Sequence, residues 1–99
     1  GILGRVDDMV IVRGVNLYPS ALHAVVSNFP EIYEYQVIFE ERHSMLEVQV
    51  NIESSRDISN KLEQVLQESF SLRIPVKHVG IGTLPRNEMK ARRWIKPQS

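Results

Sequence analysis

The sequence predicts an α+β fold, in which a small antiparallel or mixed sheet carries two helices on one face. Two segments place apolar residues at helical spacing, and an unbroken alternation of apolar and polar residues between them indicates a strand. Two amphipathic helices can both bury their apolar sides on one face of a small sheet. The predicted order is a short β-hairpin followed by α, β, β, α and β, which is ferredoxin-like in character.

The first elements along the chain are a short hairpin and a helix. The β-branched run 9–13 ends at Gly14, which can supply the positive φ of a tight turn, and residues 15–18 form a second short strand. Pro19 has the φ of a first helical position, so a helix over 19–28 follows. Its apolar stripe consists of Leu22, Val25, Val26 and Phe29.

The central elements are two strands, over 35–41 and 46–53, joined as an antiparallel hairpin by residues 42–45. In the second strand the apolar positions are expected to face the core and the polar ones water. The core positions are Val48, Val50 and Ile52, and the water-facing ones are Glu47, Gln49 and Asn51.

A second helix and a last strand complete the domain. The helix is predicted over 58–70, with Ser55 or Asp57 as its N-cap, and the strand over 75–79. One side of the helix is apolar at Ile58, Leu62, Val65, Leu66 and Phe70.

The composition is that of one folded domain, and it excludes several kinds of site. Hydrophobic residues make up 42% of the 99 residues and charged residues 24%. The absence of cysteine excludes disulfides and thiolate sites, and the three histidines have no metal-binding spacing. We therefore expect no metal site.

Charge and hydropathy bear on the partners of the domain. The net charge of zero does not favour a nucleic-acid partner, and the lack of a long apolar run does not favour a membrane. A cytoplasmic location is expected. The opening Gly1–Gly4, without an initiator Met, suggests an excised domain.

Charge is distributed unevenly, which points to an anion site near one end. Residues 31–57 carry seven carboxylates against two arginines, or −5. The tail carries five cations against Glu88, or +4, and such a separation can steer an anionic ligand. A solvated terminus explains the tail equally well. Its cations are Arg86, Lys90, Arg92, Arg93 and Lys96.

Two motifs at opposite ends resemble the small C-terminal domain of phenylacetate–CoA ligase and its relatives in the adenylate-forming superfamily. The opening motif is Gly-Arg-Val-Asp-Asp-Met-Val-Ile-Val-Arg-Gly-Val-Asn-Leu-Tyr-Pro-Ser over 4–20. The closing motif, over 84–93, is Leu-Pro-Arg-Asn-Glu-Met-Lys-Ala-Arg-Arg. The resemblance covers the chain from about residue 1 to about residue 95. It implies a single lid domain with a hinge region over 1–8, an α+β core over 9–80 and a tail with a catalytic lysine over 81–99.

The resemblance implies a two-step ligase that joins a carboxylic acid to AMP from ATP, releases pyrophosphate, and passes the acyl group to coenzyme A. A large N-terminal domain would be the partner and would hold most of the aryl acid, ATP and Mg²⁺ sites. By position, Lys90 corresponds to the catalytic lysine of adenylation, Asp7 to the hinge and Arg5 to a nucleotide contact. Gly14, Val15 and Asn16 correspond to the loop that enters the site for thioester formation with coenzyme A. The isolated domain is expected to be inactive.

Two positions depart from the family pattern. Met89 stands where the closing motif usually has Gly, and His23 stands where a helix Glu is usual. Met89 leaves open a degenerate relative that has lost adenylation. A second alternative is a small α+β module that binds a ligand or regulates a partner, because folds of this shape serve many functions.

Overall fold

The computed structural model describes residues 9–84 in full and residues 94–95 by their backbone. Eight elements lie in these residues. They are β1 (Val10–Val12), β2 (Val15–Leu17), α1 (Pro19–Val26), β3 (Ile32–Arg42), β4 (Met45–Ser54), α2 (Ser59–Phe70), β5 (Val76–Val79) and β6 (Trp94–Ile95). The predicted α+β fold, with its preceding hairpin, is confirmed.

The main sheet is mixed and has the strand order β5-β4-β3-β6. Strands β3 and β4 form its antiparallel centre, while β5 pairs with β4 and β6 pairs with β3, both in parallel. Strands β1 and β2 form a separate antiparallel hairpin. The sequence pattern predicts no strand in the tail, so β6 is an addition to the predicted topology.

One face of the central strand pair lies on the hydrophobic core. Tyr35, Val37 and Phe39 of β3 lie opposite Ile52, Val50 and Val48 of β4, and all six are buried. The helices bury their apolar stripes against the same core, at Leu22 and Val26 of α1 and at Leu62 and Leu66 of α2. The hairpin contributes Val10, Val12 and Leu17.

Both hairpins close with two-residue loops in the left-handed region. Arg13 and Gly14 have φ of 49° and 79°, and His43 and Ser44 have φ of 53° and 63°. Positive φ at both central residues defines the type I′ turn, whose twist matches that of the flanking strands. The predicted positive φ of Gly14 and the predicted 42–45 connection are therefore confirmed.

Several element boundaries differ from the predicted ones. Helix α1 ends at Val26 instead of residue 28, because its last turn tightens into hydrogen bonds from the Asn28 and Phe29 N–H groups to residues three positions earlier. Strand β3 begins at Ile32, three residues before the predicted start at residue 35. A bulge between Ile32 and Glu34 interrupts the alternation of apolar and polar residues there.

Helix α2 begins at Ser59, one residue later than predicted, and Asp57 serves its first turn. Asp57 Oδ1 accepts hydrogen bonds from the Ser59 N–H, at 3.0 Å, and from the Ser59 hydroxyl, at 2.6 Å. The hydroxyl, and then the backbone N–H, lower the pKa of the Asp57 carboxyl. The N-cap position itself is Ile58, without a capping side-chain hydrogen bond, so the prediction of Ser55 or Asp57 as N-cap is wrong. Asp57, one residue earlier, bonds to the first helical residue instead.

Candidate functional site

The tip of the β1–β2 hairpin brings together Gly14, Val15 and Asn16, the three residues predicted for the thioester-forming loop. Gly14 and Asn16 are exposed, and Val15 is half-buried against the core. A Cβ built on Gly14 would meet no heavy atom within 4 Å. The described part of this domain therefore leaves the tip open on the side of Gly14.

The outward face of the hairpin is partly apolar. Ile11 pairs with Asn16 across the two strands, and both point away from the core. Ile11 is 57% exposed and Met9 is 39% exposed. An open turn beside exposed apolar side chains is suited to insertion into a site on another domain or protein.

A cleft of about 370 Å³ lies beside the hairpin tip, and it carries two arginines. Arg13 Nη2 donates to Glu47 Oε1 at 2.7 Å, which holds the guanidinium at the cleft wall. Because both side chains are partly exposed, this ion pair contributes well under about 1 kcal/mol to stability. Two guanidinium groups at one cleft are suited to phosphate or carboxylate groups. The lining residues are Val12, Arg13, Glu47, Val48, Arg73 and Pro75.

This cleft is not evident from the sequence because its charged residues are far apart in the chain. Arg13, Glu47 and Arg73 lie in three different segments, and no local motif joins them. Glu47 was expected simply to face water. Packing of the β1–β2 hairpin against β4 places Arg13 beside Glu47, and the parallel pairing of β5 with β4 brings the chain around Arg73 to the same place.

Glu53 is the second residue that the alternation pattern did not reveal. It occupies a polar position of β4, yet its side chain is fully buried. Its Oε1 accepts a hydrogen bond from the Gly82 N–H at 3.0 Å, and its Oε2 accepts one from the Leu84 N–H at 2.6 Å. Burial of a carboxylate is costly unless such bonds compensate it. Strand β4 is thereby bonded to the segment that leads into the closing motif.

His23 has a structural contact that the sequence analysis did not assign. Its Nδ1 lies 2.8 Å from Tyr35 Oη, and this hydrogen bond joins α1 to β3. Tyr35 is buried, so the bond provides a polar partner for its hydroxyl at the edge of the core.

Three of the predicted site residues, Arg5, Asp7 and Lys90, lie outside the described residues, as does Met89. Within the described part of the chain, no three His, Asp or Glu side chains are placed to hold a metal ion. Neither described helix has the length and apolar character needed to cross a membrane.

A family model for the AMP-binding enzyme C-terminal domain matches residues 14–97. Two curated relatives are phenylacetate-coenzyme A ligases. The Thermus thermophilus protein is 38% identical over 64 residues, which is 64% of this chain and 14% of that protein. The Escherichia coli protein is 30% identical over 102 residues, covering 91% of this chain and 23% of that protein. The chain thus spans less than a quarter of these relatives.

Solved structures agree with the sequence matches. A domain of phenylacetate-coenzyme A ligase from Bacteroides vulgatus superposes with a TM-score of 0.78 at 25% identity, covering 95% of this chain and 97% of that one. A 2-hydroxyisobutyryl-CoA ligase in complex with 2-HIB-AMP and CoA in the thioesterification state gives a TM-score of 0.80 at 25% identity, covering 95% of this chain and 22% of that one. The chain therefore belongs to the AMP-binding enzyme C-terminal domain family.

Proposed function

We propose that the chain is the mobile small domain of an AMP-forming ligase that converts an aryl acid such as phenylacetate to its CoA thioester. In the first step the carboxylate attacks the α-phosphate of ATP, which forms the acyl-adenylate and releases pyrophosphate. In the second step the CoA thiol displaces AMP from the acyl group. The names of the curated relatives support the substrate class.

The observation that carries this proposal is the open hairpin tip. Gly14 lies in the turn of the two-stranded hairpin and has φ of 79°, and a Cβ added there would meet nothing within 4 Å. A residue without a Cβ allows close approach of the backbone to a narrow channel. The tip is therefore suited to entering a site on the large N-terminal domain in the thioester-forming arrangement, together with Val15 and Asn16.

The roles of the terminal motifs follow from the family resemblance. Residues 1–8 are proposed as the hinge region, with Asp7 as the pivot and Arg5 on the nucleotide side. Residues 9–80 form the core, and residues 81–99 carry Lys90 to the α-phosphate during adenylation. A single ammonium group in a desolvating cleft stabilises charge that develops on phosphate oxygens. ATP and its Mg²⁺ are assigned mainly to the large domain.

The arginine-lined cleft provides chemistry suited to the anionic part of CoA. Arg73 lines it and has no ion-pair partner among the described residues, whereas Arg13 is oriented by Glu47. Because the cleft lies beside the Gly14 tip, a phosphate bound there would leave the flexible arm of CoA next to the loop that enters the active site.

Replacement of Lys90 in the full-length protein that contains this domain tests the proposal. Lys90→Ala should slow adenylation, measured by ATP–pyrophosphate exchange, on the order of 10²-fold, which is roughly 2.7 kcal/mol. Thioester formation from supplied acyl-adenylate should remain, since the lysine acts only in the first step.

Arg92→Ala and Arg93→Ala are charge-matched controls for Lys90→Ala. A purely electrostatic role of the tail would make the three variants equal and equally sensitive to salt. Equal losses, or a silent Lys90→Ala, would contradict the assignment. A silent Lys90→Ala would favour the degenerate relative, for which Met89 beside Lys90 is the sequence argument.

A further inference from the structure

The buried carboxylate of Glu53 holds the chain at the point where it enters the closing motif. Both of its oxygens accept backbone N–H groups, from Gly82 and Leu84, and no other element of the described fold supplies these two donors with acceptors. An ionised carboxylate can accept at both oxygens without donating, so it matches two converging N–H groups.

The segment bound by Glu53 forms a tight turn followed by a buried side chain. The Thr83 N–H donates to the Gly80 carbonyl at 3.1 Å, and Gly82 has φ of 89°, as a type II turn requires at its third residue. The Leu84 side chain is buried, with 6% of its surface exposed. The chain is thus held by its backbone and by a side chain directly before residue 85.

The chain is held again ten residues after Leu84. Trp94 and Ile95 pair in parallel with Val37 and Ile38 of β3. Lys90 lies between the two attachment points, six residues after Leu84 and four before Trp94.

We propose that Glu53 is a positioning residue for Lys90, acting by holding the N-terminal end of the lysine-bearing segment on strand β4. This inference rests on the proposed role of Lys90 in adenylation. Release of Leu84 would remove the attachment that precedes Lys90 in the chain and would leave the position of the ammonium group less restricted. Small errors in the position of a charged group are costly to a reaction that depends on its alignment.

Glu53→Gln in the full-length protein tests the inference with little change in size. The amide keeps one acceptor oxygen, and its NH₂ group faces the other N–H, so one of the two hydrogen bonds is lost. We expect adenylation, measured by ATP–pyrophosphate exchange, to fall about tenfold or more. Thioester formation from supplied acyl-adenylate should stay within about twofold of the unchanged protein, as expected when only the first step needs Lys90.

Glu63→Gln is the matched control. Glu63 Oε2 accepts the Val76 N–H at 3.0 Å, so it also joins a carboxylate to the backbone of another element, but away from the closing motif. Both variants should lower the melting temperature of the domain. Only Glu53→Gln should slow adenylation selectively. Equal slowing by the two variants, or equal slowing of both half-reactions by Glu53→Gln, would overturn the inference.

A double variant separates positioning from general destabilisation. If Glu53 acts through Lys90, adding Glu53→Gln to Lys90→Ala should slow adenylation no further. An additional loss of the same size in that background would overturn the inference while leaving the role of Lys90 intact. A silent Lys90→Ala would refute the proposed function itself.

Glu53→Asp is the alternative variant if Glu53→Gln fails to fold. It retains the negative charge on a shorter side chain, and it should slow adenylation selectively but by a smaller factor. A folded Glu53→Asp that does not slow adenylation selectively would count against the inference.

Discussion

Substitution of Gly14 can separate two roles of the hairpin tip. One is to form the turn between β1 and β2, and the other is to let the backbone come close to a narrow channel on the large N-terminal domain. Gly14 has φ of 79°, and an added Cβ would meet nothing within 4 Å. Gly14→Ala therefore costs the domain only the backbone strain of a left-handed residue, roughly 1 kcal/mol. In a domain of this size that change lowers the melting temperature by about 4–8 °C. Gly14→Asn should cost less, because Asn tolerates the left-handed region better than Ala does.

The two variants should rank in the opposite order in thioester formation. If the tip enters a narrow channel, the larger Asn side chain obstructs it more than the methyl group of Ala, despite its better backbone conformation. In the full-length protein we expect Gly14→Ala to slow thioester formation on the order of tenfold and Gly14→Asn to slow it more, since a misplacement of about 1 Å can cost 10²-fold. Adenylation should change little with either variant.

Thermal melting followed by circular dichroism and the two half-reaction assays provide the measurements. Ser44→Ala is the control at the other two-residue hairpin loop, where φ is 63°, and it should affect neither half-reaction. A stability loss above about 3 kcal/mol in Gly14→Ala would mean that strain at φ is not the only cost. Slowing of thioester formation in the same order as the loss of stability would refute close approach and leave the tip a folding element alone.

Two further predictions concern the hinge and the response to acid. Asp7→Pro should hold φ near −65° and, in the full-length protein, impair one half-reaction while sparing the other; equal modest effects on both would make Asp7 an ordinary turn residue. The Ser59 hydroxyl and N–H lower the pKa of Asp57. Its contribution to stability is therefore fully present above the ordinary pKa of an aspartate and is lost as the pH falls through the lowered folded value. In urea unfolding, the stability deficit of Asp57→Asn should thus be constant above about pH 5 and shrink toward pH 2; a deficit that does not change with pH would contradict this linkage.

The main elements follow from local patterns in the sequence. The alternation over 46–53 determines strand β4, because a strand with one buried face must place apolar residues at every second position. The apolar stripes of α1 and α2 determine two helices on one layer. The turn at Gly14 and the connection over 42–45 are likewise local, since a two-residue loop joins neighbouring antiparallel strands.

The family resemblance rests on two short motifs, and it is confirmed over residues 14–97. The two motifs assign roles to Arg5, Asp7 and Lys90 by position. These residues lie outside the described part of the chain, so their roles stay predictions. Of the predicted site, the structure brings together Gly14, Val15 and Asn16, because these three are neighbours in sequence at one hairpin end.

The burial of Glu53, the arginine cleft and strand β6 were decided by tertiary structure alone. A carboxylate at a polar position of an alternating strand predicts exposure to water, and only the return of Gly82 and Leu84 onto β4 provides the donors that make its burial favourable. Arg13 and Arg73 line one cleft although sixty residues separate them in sequence, because the β1–β2 hairpin packs beside β4, with which β5 pairs. Local periodicity determines which face of an element is apolar. Contacts between distant segments determine which polar groups are buried together, and at Glu53 that decides how the chain enters the segment carrying Lys90.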